Sequence, residues 1–262
     1  MTGFRIGLIL AGLTSLVLTV GFVDEATWAT DLWPWPASRL SYIFIASILA
    51  AIALPVLWLA VTGELAAMQA GALDLAVTYG AMSVYLLTLL GDPGQPALGP
   101  YLAVFALAFV GMVVTFARSR RIPWRDPRPM PGPVRISFGV FAVMLVAFGT
   151  ALAFHADVFP WDLGAETSVM FGFIYLGAAA YFVWGFLHPS WPNAAGQLIG
   201  FLAYDLVLIG PFVDQFDDVS GGKLTSLIVY TAFVLYSAGL AFYYLFVCDA
   251  TRLGGEPGTT RA

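Results

Sequence analysis

Eight apolar runs of bilayer-spanning length recur along the chain and leave almost no residues for anything else. A hydrocarbon core about 30 Å thick needs about 17 to 25 mostly apolar residues in a helix. Such runs cover Phe4–Val23, Tyr42–Val61, Leu65–Leu90, Tyr101–Ala117, Ile136–Phe154, Ser168–Leu187, Ala194–Val213 and Leu224–Val247. The connections are short and rich in turn formers, as in TGE at 62–64, GDPGQPALGP at 91–100 and DVSGG at 218–222. No soluble domain fits between them. Hydrophobic residues make up 60% and charged residues 10% of the chain, and the mean hydropathy is +0.86. A soluble globule would carry about 25% charge. The expected fold is therefore all-α, a polytopic transmembrane bundle of eight helices forming one membrane domain over residues 1–262.

Orientation follows from the basic residues, which concentrate in cytoplasmic loops. The decisive loop is RSRRIPWRDPRPMPGPVR at 118–135, with Arg118, Arg120, Arg121, Arg125, Arg128 and Arg135. With eight spans, a cytoplasmic loop here puts both termini inside as well, together with Arg5, Arg252 and Arg261. Only Arg39 and Lys223 then lie outside, while Asp24, Glu25, Asp31, Asp92, Asp157, Asp162, Glu166, Asp214, Asp217 and Asp218 all sort to that side. Arginine is strongly preferred to lysine, and alanine, glycine and leucine dominate, as in proteins from GC-rich bacterial genomes. The expected location is the bacterial inner membrane. A second assignment makes the first run a cleaved signal sequence with Arg5 as its basic flank. The length of the run and the lack of a clean A-x-A site after it speak against that. Seven helices would remain, but Lys223 lies at the edge of the last one, so a buried retinal Schiff base is excluded.

Composition and motifs exclude several further classes. A net charge of −5 lacks the basic footprint of nucleic-acid binding. The single cysteine, Cys248, allows no disulfide within the chain and no cysteine-based structural metal site. His155 and His188 fall at opposite ends of the core, about 30 Å apart, and cannot share a haem or metal. No cofactor or metal is expected. The motifs of serine hydrolases, zinc proteases and P-loop proteins are absent. Tyr204-Asp205 matches half of the intramembrane aspartyl protease signature, but the G-x-G-D element on a later helix is missing. An enzyme is not expected.

Two carboxylates carry the chemistry. Asp74 lies about 14 Å from the start of the third run and Asp205 about 15 Å from the start of the seventh, both near the middle of the core. They are 131 residues apart, half of the 262-residue chain, which suggests two four-helix halves, 1–131 and 132–262. Trp33-Pro34-Trp35 is echoed by Phe159-Pro160-Trp161, and Ala66-Ala67-Met68-Gln69 by Ala194-Ala195-Gly196-Gln197. Both halves have the same orientation, so the repeat would be parallel, about an axis along the membrane normal. The Pro-Trp loops and the segment Ala203-Tyr204-Asp205-Leu206 resemble those of a family of uncharacterised bacterial multi-pass membrane proteins with a repeated outer (F/W)-P-W loop. The resemblance covers most of the chain and implies an eight-helix fold without an activity.

Charged groups inside a membrane are costly and face polar partners or a water-filled cavity. Helical spacing offers such partners. Asp74, Thr78 and Tyr85 share a face of the third run, and Gln197 and Tyr204 lie close to Asp205 on the seventh. Ser226, Tyr230, Ser237 and Tyr244 form a stripe on the eighth. One reading is a proton- or cation-coupled small-solute transporter, in which the two acids share a midplane site and the halves rock about it. The other is a non-catalytic structural or assembly subunit, with both acids protonated and hydrogen-bonded between helices. It would carry a lipid-facing patch for a partner subunit or a second copy. Trp33, Trp35, Trp161 and Trp124 are expected at the membrane interface as anchors, the Pro-Trp loops having a second reading as a lid over an outward-facing cavity. Arg118, Arg120, Arg121, Arg125 and Arg128 are expected to rest on anionic lipid, with docking of a cytoplasmic partner as the alternative. Pro55 is expected to kink the second run.

Overall fold

The computed structural model describes residues 2–254; Arg261, expected on the cytoplasmic side, lies outside them. Among the described residues are nine α-helices and no strand: α1 Thr2–Val23, α2 Thr27–Thr30, α3 Arg39–Thr62, α4 Met68–Leu89, α5 Gly99–Ser119, α6 Gly132–Ala153, α7 Ala165–Leu187, α8 Trp191–Asp214 and α9 Gly221–Phe242. All but the one-turn α2 belong to the eight segments long and apolar enough to cross a membrane, so the chain is a multi-pass membrane protein. In lipid every backbone N–H and C=O must be paired within the protein, and a continuous apolar run of this length does so within itself as a helix. A 3-10 turn at Leu65–Ala67 precedes α4, and a π-helical turn at Tyr243–Val247 ends the last span.

Local chemistry sets the helix ends. Ser38 caps α3, its hydroxyl accepting from the Ser41 N–H at 3.3 Å. Gly63 ends that helix at φ +72°, a left-handed conformation that suits glycine. Pro100, Pro133 and Pro192 fall in the first turns of α5, α6 and α8, where a missing N–H costs nothing. Pro55 stands inside α3 and cannot bond the carbonyl of Ala51. That oxygen instead lies against Gly200 of α8, where an added Cβ would come within 2.9 Å of it.

The spans pack as two rows. In one, α1 lies against α3, α3 against α8 and α8 against α9; in the other, α5 lies against α4, α4 against α7 and α7 against α6. Each row draws two spans from each half of the chain, so neither half packs as a unit of its own. Small residues allow the closest approaches, as is usual between membrane helices. A Cβ on Gly172 of α7 would come within 2.7 Å of the Gly149 carbonyl of α6. The rows meet through aromatic side chains, including Phe44 of α3 on Phe171 of α7 at 4.4 Å between ring centroids.

One end of the bundle is arginine-rich and the other acidic. At the arginine-rich end the loop between α5 and α6 is held by Glu64, which is only 4% exposed. Its carboxylate accepts from the Arg125 N–H at 3.0 and 3.1 Å and from the Asp126 N–H at 3.0 Å. Burial pushes the Glu64 carboxyl above its ordinary value, against the opposing pull of these N–H bonds. Asp126 shifts the other way: burial acts to raise it, but its bonds to Arg128 hold it below the usual range. At the acidic end Arg39 pairs with Glu25 at 2.7 Å, and Lys223 pairs with Asp162.

Candidate functional site

A cavity of about 260 Å³ lies between the two rows, lined by residues of α3, α4, α7 and α8. Its walls are mostly aliphatic and aromatic. Its polar groups are Asp74, Thr78 and Tyr79 of α4, Gln197 and Tyr204 of α8, and Tyr175 of α7. On α8 the lining positions 197, 200, 201 and 204 follow helical spacing. The structure thus brings together four of the residues singled out from the sequence: Asp74, Thr78, Gln197 and Tyr204.

Asp74 is half-buried and faces this space. The Thr78 hydroxyl, 3.3 Å from Asp74 Oδ1, is its one hydrogen-bond partner among the described residues, and the same hydroxyl lies 3.4 Å from the Phe173 carbonyl of α7. Gly177 makes room for this arrangement. A Cβ there would come within 1.9 Å of Thr78 Oγ1 and 2.6 Å of Asp74 Oδ1. The Gln197 amide, half-buried on the same cavity, makes no protein hydrogen bond among the described residues.

Asp205 is placed differently. It is 2% exposed, is not part of the cavity lining and faces α9. There the Ser237 hydroxyl lies 3.0 Å from Oδ1 and 2.9 Å from Oδ2, and 3.0 Å from the carbonyls of Phe233 and Val234. The two aspartates therefore occupy separate surroundings, one open and one sealed. Tyr85 also lies away from the cavity, packed edge-on against Phe173 at 6.0 Å.

A chain of hydroxyls borders the cavity. Tyr230 of α9 is hydrogen-bonded to both Tyr175 and Tyr204. Beyond it is a second cleft of about 230 Å³ between α6 and α9, lined by Phe148, Asp157, Ser226 and Tyr230 and sharing Tyr175 with the first. Tyr175 and Gly177 escaped the sequence reading, because a lone tyrosine and a glycine in a small-residue run are unexceptional in a membrane helix.

Two of the expected interfacial anchors, Trp35 and Trp161, turn inward at the acidic end, whereas Trp28 of the same end is 52% exposed. Trp35 and Trp161 are 7% and 6% exposed. Their indoles donate to Gln95 at 2.8 Å and Ser41 at 3.0 Å, and Trp33 donates to Thr167 at 3.3 Å. The physical reason is that protein acceptors at the starts of α3 and α7 and in the α4–α5 connection replace headgroup water. Trp33 also lines the cavity. Trp124, at the other end, remains partly exposed.

Comparison with protein-family models, curated proteins and solved structures finds no match to this chain.

Proposed function

We propose that the chain is a proton- or cation-coupled transporter of a small solute, with the central cavity as its binding site and Asp74 as the carboxyl that exchanges the proton or holds the cation. The observation behind this reading is that Asp74 lines a cavity with a single protein hydrogen-bond partner. An intramembrane acid left in that condition is retained for function. Gln197 and Tyr204 supply further polar contacts. A volume of about 260 Å³ falls below the range of about 300–1,000 Å³ for drug-sized ligands, so the occupant is small.

Asp205 takes the structural role in this scheme. One hydroxyl proton on Ser237 cannot serve two carboxylate oxygens and two carbonyls at once. A proton on Asp205 resolves this, with Asp205 donating to Ser237 and Ser237 donating to a carbonyl of α9. That sealed pair favours the second reading, a non-catalytic structural or assembly subunit, for the α8–α9 side alone.

The helix pairing supports a parallel 4+4 repeat. Exchanging the halves carries α1–α3 onto α6–α7, α4–α5 onto α8–α9 and α3–α8 onto α7–α4, each of which is an observed pair. The loop contacts are also reciprocal, Trp33 reaching Thr167 at the start of α7 and Trp161 reaching Ser41 at the start of α3. Rocking of the two rows, each built from both halves and packed on either side of the cavity, is the motion this arrangement allows. The arginine-rich end is assigned to the cytoplasm and the membrane to the bacterial inner membrane.

Proteoliposomes with an entrapped pH dye test the reading under imposed sodium or potassium gradients, with a panel of small polar solutes added outside. The wild type and Asp205→Asn should move the lumen pH and Asp74→Asn should not. A wild type no different from empty liposomes, or an active Asp74→Asn, overturns it.

A further inference from the structure

The arginine-rich loop divides into residues spent inside the protein and residues without a carboxylate partner among the described residues. Arg125 donates to the Thr62 carbonyl at 2.9 Å, Arg128 pairs with Asp126 at 2.6 Å, and Arg135 donates to the Phe186 carbonyl at 3.0 Å. Arg118, Arg120 and Arg121 have no carboxylate partner among the described residues. Two of these three line a pocket of about 430 Å³ where the loop folds against the ends of α4, α5 and α7.

Every polar side chain of that pocket can donate a hydrogen bond, and none is a carboxylate. Gln69, Arg120, Arg121, Trp124, Trp184 and His188 line it. The Arg120 guanidinium is steadied between the rings of Phe116 and Trp184, 5.4 Å from each centroid. Trp184 stacks on His188 at 3.8 Å, and its Nε1–H is buried with no acceptor among the described residues. His188 Nδ1 lies 3.1 Å from the Trp184 carbonyl, which leaves Nε2 free. A buried indole donor without an acceptor is a standing cost unless a ligand supplies one. The Arg120 guanidinium beside it, with Arg121 lining the same pocket, favours a multidentate anion.

We propose that this pocket holds the phosphate of an anionic phospholipid headgroup. Lipid, rather than free phosphate, is the source because apolar surface adjoins the pocket. The α5 and α7 helices meet there through Phe116 and Trp184, ring centroids 5.0 Å apart, and Val113, Val114, Val183 and Leu187 are exposed on the same two helices. An acyl chain can lie along them while the phosphate sits among the donors. Arg125 and Arg128, which the sequence grouped with the others, take no part. The assignment does not depend on the transport reading.

Native mass spectrometry of delipidated protein in detergent, titrated with phosphatidylglycerol or phosphatidylcholine, tests this. A basic residue near the surface contributes about 1 kcal/mol toward anionic lipid, or about fivefold in affinity. Arg120→Gln with Arg121→Gln should therefore weaken phosphatidylglycerol binding about thirtyfold, with Arg118→Gln close to wild type. Trp184→Phe, which keeps an aromatic ring but removes the indole N–H, should also weaken it and guards against misfolding of the double variant. Equal binding of the two lipids, or equal losses in the double variant and Arg118→Gln, overturns the proposal. Displacement of the lipid by millimolar inorganic phosphate overturns the lipid source and leaves a free-anion site.

Discussion

Asp74 and Asp205 stand half a chain apart on helices of like composition, yet one borders open space while the other is closed in by its neighbours. Asp74 has Thr78 and a cavity; Asp205 has Ser237, whose hydroxyl also reaches the backbone of α9, and no cavity. A buried acid whose oxygens are matched by protein holds helices together, and one left unmatched is available to a ligand or proton. The difference comes from what the neighbouring helix presents: a glycine at 177 that lets α7 approach α4, and a serine at 237 that fills the space beside α8.

Five substitutions sharpen or break that contrast. Gly177→Ala should have the largest effect, because its Cβ would overlap Thr78 and Asp74. Overpacking of this kind costs about 1–3 kcal/mol and occasionally more, and a clear drop in thermal midpoint in detergent is expected. Asp205→Ala should cost about 1–3 kcal/mol by stripping a buried hydrogen-bonded pair, whereas Asp74→Ala should cost less than about 1 kcal/mol. Equal losses at the two positions would erase the distinction. Trp161→Phe should cost about 1 kcal/mol through its lost bond to Ser41, with Trp33→Phe, whose bond is longer, costing less.

The smallest effect is a pH slope at Glu64. Its carboxyl is raised in the folded protein, so the proton is held more tightly there than in the unfolded chain. The resulting stability is fully present below the ordinary value of 4.5 and is lost as pH rises through the folded value. Glu64→Gln should flatten this slope in thermal melts from acid to neutral pH.

The eight spans were legible because lipid permits an apolar run of that length only one backbone solution. Four cavity residues were legible too, since helical spacing puts Thr78 one turn from Asp74 and Tyr204 two turns from Gln197. The separation of the acids was not. Tyr204 and Asp205 are neighbours in sequence but point about 100° apart around α8, and when protein interior and lipid are both apolar no hydrophobic stripe says which direction faces the cavity. The inward turn of Trp35 and Trp161 was hidden for a similar reason: their acceptors, Gln95 and Ser41, are 60 and 120 residues away.

Carboxylate infrared difference spectroscopy on the purified parent protein, Asp74→Asn and Asp205→Asn, each carrying Glu64→Gln to remove that carboxyl and titrated between about pH 5 and 8, tests the contrast most directly. The expected result is one titrating carboxyl band, absent from Asp74→Asn and unchanged in Asp205→Asn. A band that survives Asp74→Asn or disappears with Asp205→Asn, or no titration in the parent, would contradict the assignment of Asp74 as the open, exchanging acid.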